Sequence, residues 1–148
     1  MERSHGAPYG VGERDKVMES NVIAVRTVNL CIIKHSIGDA LSINHIYLTL
    51  LLEFECTKSL LAMPGVFVLT FDSCEYGETY RHRQCLITNQ PWLAWLSRDC
   101  SGAHVHEQLS GAGRPTATVS PYAKGLVKHW VHLFNVFLKA PMKSRCAR

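Results

Sequence analysis

The clearest strand signal of the sequence lies in residues 66–77, which read Val-Phe-Val-Leu-Thr-Phe-Asp-Ser-Cys-Glu-Tyr-Gly. Its first half, Val66 to Phe71, is rich in β-branched and aromatic residues, which predicts a strand. Pro64-Gly65 interrupts the chain just before it. The polar turn from Asp72 to Gly77 follows at once. Side chains that can carry chemistry therefore stand at the end of a strand.

Further elements are predicted on both sides of this strand. Upstream, the pattern predicts a helix from Lys16 to His35, a buried strand from Ile46 to Phe54, and a short helix from Thr57 to Met63 capped by Thr57. Downstream, it predicts a strand from Cys85 to Thr88, a helical turn from Trp92 to Leu96, and a helix from Ser120-Pro121 to about Lys139. This order favours an α/β fold, a small sheet flanked by helices. Three strands leave a sheet edge open, so we expect a protein partner to cover it.

The length of 148 residues suits one domain. We expect a disordered N-terminal segment at residues 1–14 and a single α/β domain at residues 15–139. Within that domain, residues 99–118 are rich in Ser, Gly, Thr and Pro, which predicts a long loop. Residues 140–148 form a basic C-terminal tail.

Hydropathy and cysteine content bear on the compartment. No run of about 20 apolar residues occurs, so neither a spanning helix nor a membrane partner is expected. The N-terminus lacks the apolar core of a secretory signal, which favours an intracellular location, cytoplasmic or nuclear. The six cysteines are then expected to be reduced thiols.

The charge distribution suggests a polyanionic partner. The formal net charge is +4, and no Asp or Glu follows Glu107. Lys124 and Lys128 lie in the segment after Glu107. Arg81 and Arg83 form a compact group beside an aromatic residue. Arginine and lysine suit phosphate contacts, so these four residues are candidate nucleic-acid contacts. The alternative is a solvated basic end and an exposed turn.

Two cysteines and two histidines form a candidate zinc site. Cys74, Cys100, His104 and His106 supply the four thiolate and imidazole ligands of a tetrahedral site, provided that the loop folds back on the strand end. The spacing lacks the paired Cys-x2-Cys of common zinc sites. The alternative is that Cys74 lies in the core and both histidines are exposed. A Cys/His nucleophilic pair is disfavoured, because nothing in the sequence orients one.

A series of short motifs carries a family resemblance. The segments are Glu53-Phe54-Glu55, Ser59-Leu60, Asp72 to Gly77, Tyr80-Arg81-His82, Leu86-Ile87-Thr88-Asn89, Cys100 to His104 and Leu109-Ser110-Gly111. In order and spacing they resemble the C-terminal half of a DNA (cytosine-5) methylase-like family found in viruses, phages and mobile-element-derived genes. The resemblance covers about residues 16–132.

The resemblance implies part of a class I methyltransferase (Rossmann-like) fold with a mostly parallel sheet. Glu53 matches the glutamate that contacts the target base in this family. However, Phe54-Glu55 replaces the family's Asn-Pro, no Pro-Cys dipeptide supplies a nucleophile, and no Gly-rich first strand is visible. We therefore expect a truncated, catalytically incompetent domain with weak nucleic-acid binding and no S-adenosylmethionine.

Three other interpretations remain open at this point. The chain could be a zinc-stabilised interaction module. It could be a methyltransferase that a partner chain completes. It could also be a non-functional translated fragment of a decayed gene.

Overall fold

A computed structural model describes residues 15–47, 50–107 and 122–139. The helices are α1 (Asp15–Ser36), α2 (Glu55–Leu61) and α3 (Lys124–Lys139), the strands are β1 (Ser42–Ile46), β2 (Phe67–Asp72) and β3 (Arg83–Thr88), and three 3-10 turns span Leu50–Glu53, Ser73–Tyr76 and Pro91–Leu96. The expected disordered segment at 1–14, the helix start at Ser120-Pro121, most of the predicted loop and the basic tail lie outside the described residues. None of the described helices is both long enough and apolar enough to cross a bilayer.

The strands form one small antiparallel sheet in the order β1-β3-β2. The expectation of a mixed α/β fold is therefore confirmed, but the mostly parallel sheet that the resemblance implies is not found. The connection explains the strand direction. Parallel neighbours need a crossover of about a dozen or more residues, usually a helix. Residues 73–82 join β2 to β3 with only a 3-10 turn, which suits an antiparallel return.

The strand predicted from Ile46 to Phe54 is wrong. The chain instead makes β1 earlier and then a 3-10 turn, in which Leu51 is buried. Leu51 and Phe54 point inward, whereas the two residues between them are only partly buried. This three-residue spacing is helical, and a short continuous apolar run does not distinguish a strand from a helical segment.

The remaining elements match their predictions closely. The helix predicted from Lys16 to His35 and the strands predicted from Val66 and Cys85 agree with α1, β2 and β3 to within two residues at each end. The short helix begins earlier than predicted, with Phe54 as its N-cap. Thr57 is therefore a fully buried residue inside α2 and not its cap.

The described chain groups into two compact units. The first comprises the residues up to Val68 together with Leu86–Gln90. Its apolar core consists of Val28, Leu41, Ile43, Leu51, Phe54, Leu60, Val66 and Ile87. Asn89 secures one edge of this unit, since its side chain accepts a hydrogen bond from the Leu41 N–H (3.0 Å) and donates one to the Asp39 carbonyl (2.8 Å).

The second unit comprises residues 69–85 and those from Pro91 onward. Tyr76 lies at its centre. The Tyr76 hydroxyl donates a 2.6 Å hydrogen bond to the Leu96 carbonyl, and its ring meets Phe71 edge-on with centroids 6.0 Å apart. Helix α3 approaches this residue at Gly125, where a Cβ would lie 2.3 Å from the Tyr76 carbonyl oxygen. Glycine is therefore needed for the helix to pack here.

Replacing Gly125 with alanine should destabilise the second unit. In an exposed helix, alanine is more favourable than glycine by about 1 kcal/mol. Here the new methyl group would collide with backbone, and overpacking of this kind costs about 1–3 kcal/mol. We expect a lower melting temperature in thermal unfolding followed by circular dichroism. The exposed Asn135→Ala change in the same helix is the matched control and should leave the melting temperature unchanged or slightly raised. Equal melting of Gly125→Ala and wild type would contradict the close approach.

Candidate metal centre

Cys74 is positioned by the turn that ends β2. The 3-10 turn Ser73–Tyr76 follows the strand directly, and Cys74 is buried within it. Ser73 fixes the start of the turn, because both its N–H and its hydroxyl donate to the His82 carbonyl at 3.0 Å. Gly77 ends the turn with φ +91, a left-handed conformation that favours glycine. The Cys74 thiol is therefore held at the end of a strand.

The loop that carries the other candidate ligands first runs alongside β2. Arg98 forms a parallel bridge with Phe71, and the Asp72 N–H donates to the Arg98 carbonyl at 2.9 Å. The Cys100 N–H then donates to the Asp72 carboxylate at 2.8 Å. The loop thus folds back on the strand end, as the zinc prediction requires.

Two more hydrogen bonds hold the loop further along. The Ser101 N–H donates to the Glu75 carboxylate at 2.9 Å, and the Glu107 N–H donates to the Thr79 carbonyl at 2.8 Å. Between these two anchors, Gly102 adopts φ +72 and turns the chain back toward the cysteine. The loop is fixed mainly through its backbone.

The four predicted ligands come together. Their ligand atoms in Cys74, Cys100, His104 and His106 all lie within 4.8 Å of one another. The Cys100 sulfur lies 3.4 Å from Nε2 of His106 and 3.9 Å from Nε2 of His104. A tetrahedron with Zn–S of about 2.3 Å and Zn–N of about 2.0 Å has edges of roughly 3.3–3.8 Å. The cluster could therefore hold a metal ion such as zinc.

The surroundings of the cysteines suit metal binding better than nucleophilic catalysis. Burial and, to a smaller extent, the hydrogen bond with the neighbouring Cys100 thiol together raise the pKa of the Cys74 thiol to about 11. A reactive thiolate needs a lowered pKa. The Gly102 N–H donates to the Cys100 sulfur at 3.3 Å. A cation bound to both sulfurs would displace their protons.

Asp72 links the candidate metal centre to Arg81. The Asp72 side chain is fully buried, and Arg81 donates to it through Nε at 3.3 Å and through a terminal nitrogen at 3.5 Å. The hydrogen bond with Asp72 raises the pKa of Arg81. A buried carboxylate needs such partners, because removing an unpaired charge from water is costly.

The candidate nucleic-acid residues fall into two groups. Arg81 is bound to Asp72, and Arg83 donates to the Asp99 carboxylate at 2.6 Å. Lys124 and Lys128 are exposed on α3, four residues apart, so they share a face of the helix. Both arginines therefore already form ion pairs with carboxylates of the second unit. Nucleic-acid binding stays a prediction.

Glu53, for which the resemblance implies contact with a target base, lies in the first unit. It ends the 3-10 turn Leu50–Glu53, and the Lys58 ammonium lies 3.8 Å from its carboxylate. Its role toward a base also stays a prediction.

Sequence reasoning missed the two carboxylates that hold the loop. Asp72 and Glu75 flank Cys74 in the polar turn, and each accepts a backbone N–H from the loop. An acidic residue close to each side of a candidate metal-binding cysteine is a signal that could have indicated this role.

Comparisons with known proteins give no relative for this chain. No family model matches the sequence, and neither the curated proteins nor the solved structures include a match. The resemblance to DNA methylases therefore stays a prediction that rests on its motifs alone.

Replacing Asp72 with asparagine should weaken metal binding although Asp72 is not a ligand. The amide presents a donor where the carboxylate accepts from Cys100 and Arg81, so the backbone of Cys100 loses its fixed position. Loss of such an outer-shell partner typically lowers metal affinity about 10–100-fold. Zinc affinity, measured by competition with a chromophoric chelator, checks this.

Asp99→Asn is the matched control for this experiment. Like Asp72→Asn, this change removes a carboxylate that pairs with an arginine. However, the Asp99 side chain is 67% exposed, and exposed ion pairs contribute only about 0–1 kcal/mol to stability. We expect its zinc affinity to equal that of wild type. Equal affinities for Asp72→Asn and Asp99→Asn would contradict the role of the buried carboxylate.

Proposed function

We propose that the chain is a zinc-stabilised interaction module and not an independent enzyme. One zinc ion would be held by Cys74, Cys100, His104 and His106. The observation that carries this proposal is the convergence of four sulfur and nitrogen donors within 4.8 Å. Two of these donors come from residues more than twenty positions apart in the sequence, so the fold itself assembles the site.

The donor set favours zinc in a structural role. Zinc prefers thiolate and imidazole ligands, and structural sites use four protein ligands. Catalytic zinc sites usually keep a position open for water or substrate. Four protein donors would fill a tetrahedral ion and leave no such position. The bound ion would supply cohesion, with two thiolates balancing its charge.

The burial pattern supports a stabilising metal at this place. No side chain from Ser97 to Glu107 is fully buried, and only Cys100 and His106 in this segment are even half-buried. Apolar packing therefore contributes little to holding the segment in place. Zinc binding provides folding free energy directly, about 10–16 kcal/mol in small zinc modules at neutral pH. The metal would therefore stabilise this loop in place of the apolar burial that stabilises other segments.

The proposal predicts one zinc per chain and metal-dependent stability. Protein purified without chelator should contain zinc in equimolar amount by atomic emission. Chelation should lower the melting temperature. Single changes Cys74→Ser, Cys100→Ser and His106→Ala should each remove most of the bound zinc, because three remaining ligands leave the ion exposed to competing water.

Controls for this experiment lie in the first unit. Cys56→Ser and His45→Ala change one half-buried cysteine and one exposed histidine outside the cluster. Both proteins should keep a full complement of zinc. A metal-free preparation that melts at the same temperature as the zinc-containing protein would overturn the proposal. Zinc loss in the controls would show that the assay reports unfolding.

Cobalt gives an independent view of the geometry. A tetrahedral site with two thiolates should show visible absorption and a sulfur-to-metal charge-transfer band when cobalt replaces zinc. Loss of the charge-transfer intensity in Cys100→Ser, with retention in Cys56→Ser, would identify the ligand. A spectrum typical of octahedral cobalt would contradict the four-donor site.

A further inference from the structure

Helix α3 has more apolar surface than the second unit covers. One apolar face packs inward, with Leu126 buried and Trp130, Leu133 and Phe137 half-buried. A second apolar row, Val127, Val131 and Phe134, recurs at a spacing of three to four residues, and one side of the Phe134 ring contacts Trp92, with centroids 5.9 Å apart. These three side chains are between 47% and 53% exposed. The helix thus shows an apolar stripe to its surroundings.

Basic residues border this stripe. Lys124 and Lys128 are exposed on the adjacent face of the helix, and α3 contains no acidic residue. In the sequence, seven lysines and arginines and no carboxylate follow Glu107. The surface therefore combines apolar side chains with positive charge. A complementary partner should have an apolar region bordered by negatively charged groups.

We propose that this face of α3 lies on an anionic lipid bilayer. Val127, Val131 and Phe134 enter the boundary between headgroups and acyl chains, while Lys124 and Lys128 remain among the headgroups. Amphipathic helices with apolar residues on one side and lysines on the other bind membranes in this way. The association is peripheral and needs no spanning helix. It departs from the expectation of no membrane partner, which rested only on the lack of a long apolar run.

The charges and the size of the stripe favour lipid over other partners. A second copy docked through α3 would bring together two surfaces that carry lysines and no carboxylate, so the positive charge would not be neutralised. Nucleic acid would neutralise the lysines but leave the apolar row in water. A stable protein interface buries about 1,200–2,000 Å² in total, more than three side chains supply. A bilayer needs only shallow insertion together with about 1 kcal/mol from each basic residue near its surface.

Vesicle flotation with the zinc-loaded full chain tests the proposal. The probes are vesicles of phosphatidylcholine alone and vesicles of equal parts phosphatidylcholine and phosphatidylserine. We expect the protein to float with the phosphatidylserine vesicles at low salt and to remain behind with phosphatidylcholine alone. Absence of binding to phosphatidylserine vesicles at low salt would overturn the proposal.

Two sets of variants separate insertion from simple charge attraction. Lys124→Gln and Lys128→Gln should each weaken binding about fivefold, as expected for the loss of about 1 kcal/mol. Val127→Ser with Val131→Ser removes apolar contact but leaves every charge in place, and it should weaken binding by at least a similar factor. Lys58→Gln, an exposed lysine in the first unit, is the control and should bind as wild type.

The fold of each variant and a competing partner are checked in parallel. Zinc content and melting temperature must match those of wild type, so that lost binding does not report unfolding. Vesicle binding that the serine changes leave untouched would overturn insertion of the stripe. Tighter binding to duplex DNA than to vesicles, sensitive to the lysine changes alone, would instead assign the surface to nucleic acid.

Discussion

The buried carboxylate of Asp72 organises the second unit. It ends β2, lies two residues before Cys74, and accepts hydrogen bonds from the Cys100 N–H and from Arg81. Burying a carboxylate is unfavourable unless several donors surround it. The loop therefore supplies a donor that the buried carboxylate requires, and the carboxylate in turn fixes the loop. Because one residue connects the strand end to Cys100, the position of the Cys100 sulfur relative to Cys74 depends on it.

The sequence was sufficient to find the ligands but not the groups that position them. Cysteine and histidine side chains are suitable metal ligands by their chemistry alone, so Cys74, Cys100, His104 and His106 could be selected as candidate ligands before their distances were known. Asp72 and Glu75 act on backbone N–H groups 28 and 26 residues away. Contacts of this length depend on the path of the whole loop, which local spacing does not encode. The particular N–H groups that they bind are therefore identified only in the folded chain.

Prediction of the fold failed where one residue pattern is compatible with both a strand and a helical turn. The stretches that became β2 and β3 are short, rich in β-branched residues and bounded by turns, so their type was clear. The leucine run before Phe54 is equally apolar. Its buried residues recur at a helical spacing, which only the structure reveals. Strand direction was inferred from a resemblance, whereas it follows from the short connection between β2 and β3.

The two units differ in what holds them together, and this has consequences for their sequences. The first unit relies on an apolar core, so its buried positions must keep volume and shape. The loop of the second unit relies on backbone hydrogen bonds and, we propose, on a metal. Val105 within that loop is 96% exposed and contributes no packing. Substitutions there should therefore be tolerated wherever the ligands, the carboxylates and the left-handed Gly102 remain. A loop with so few requirements can vary its exposed surface freely.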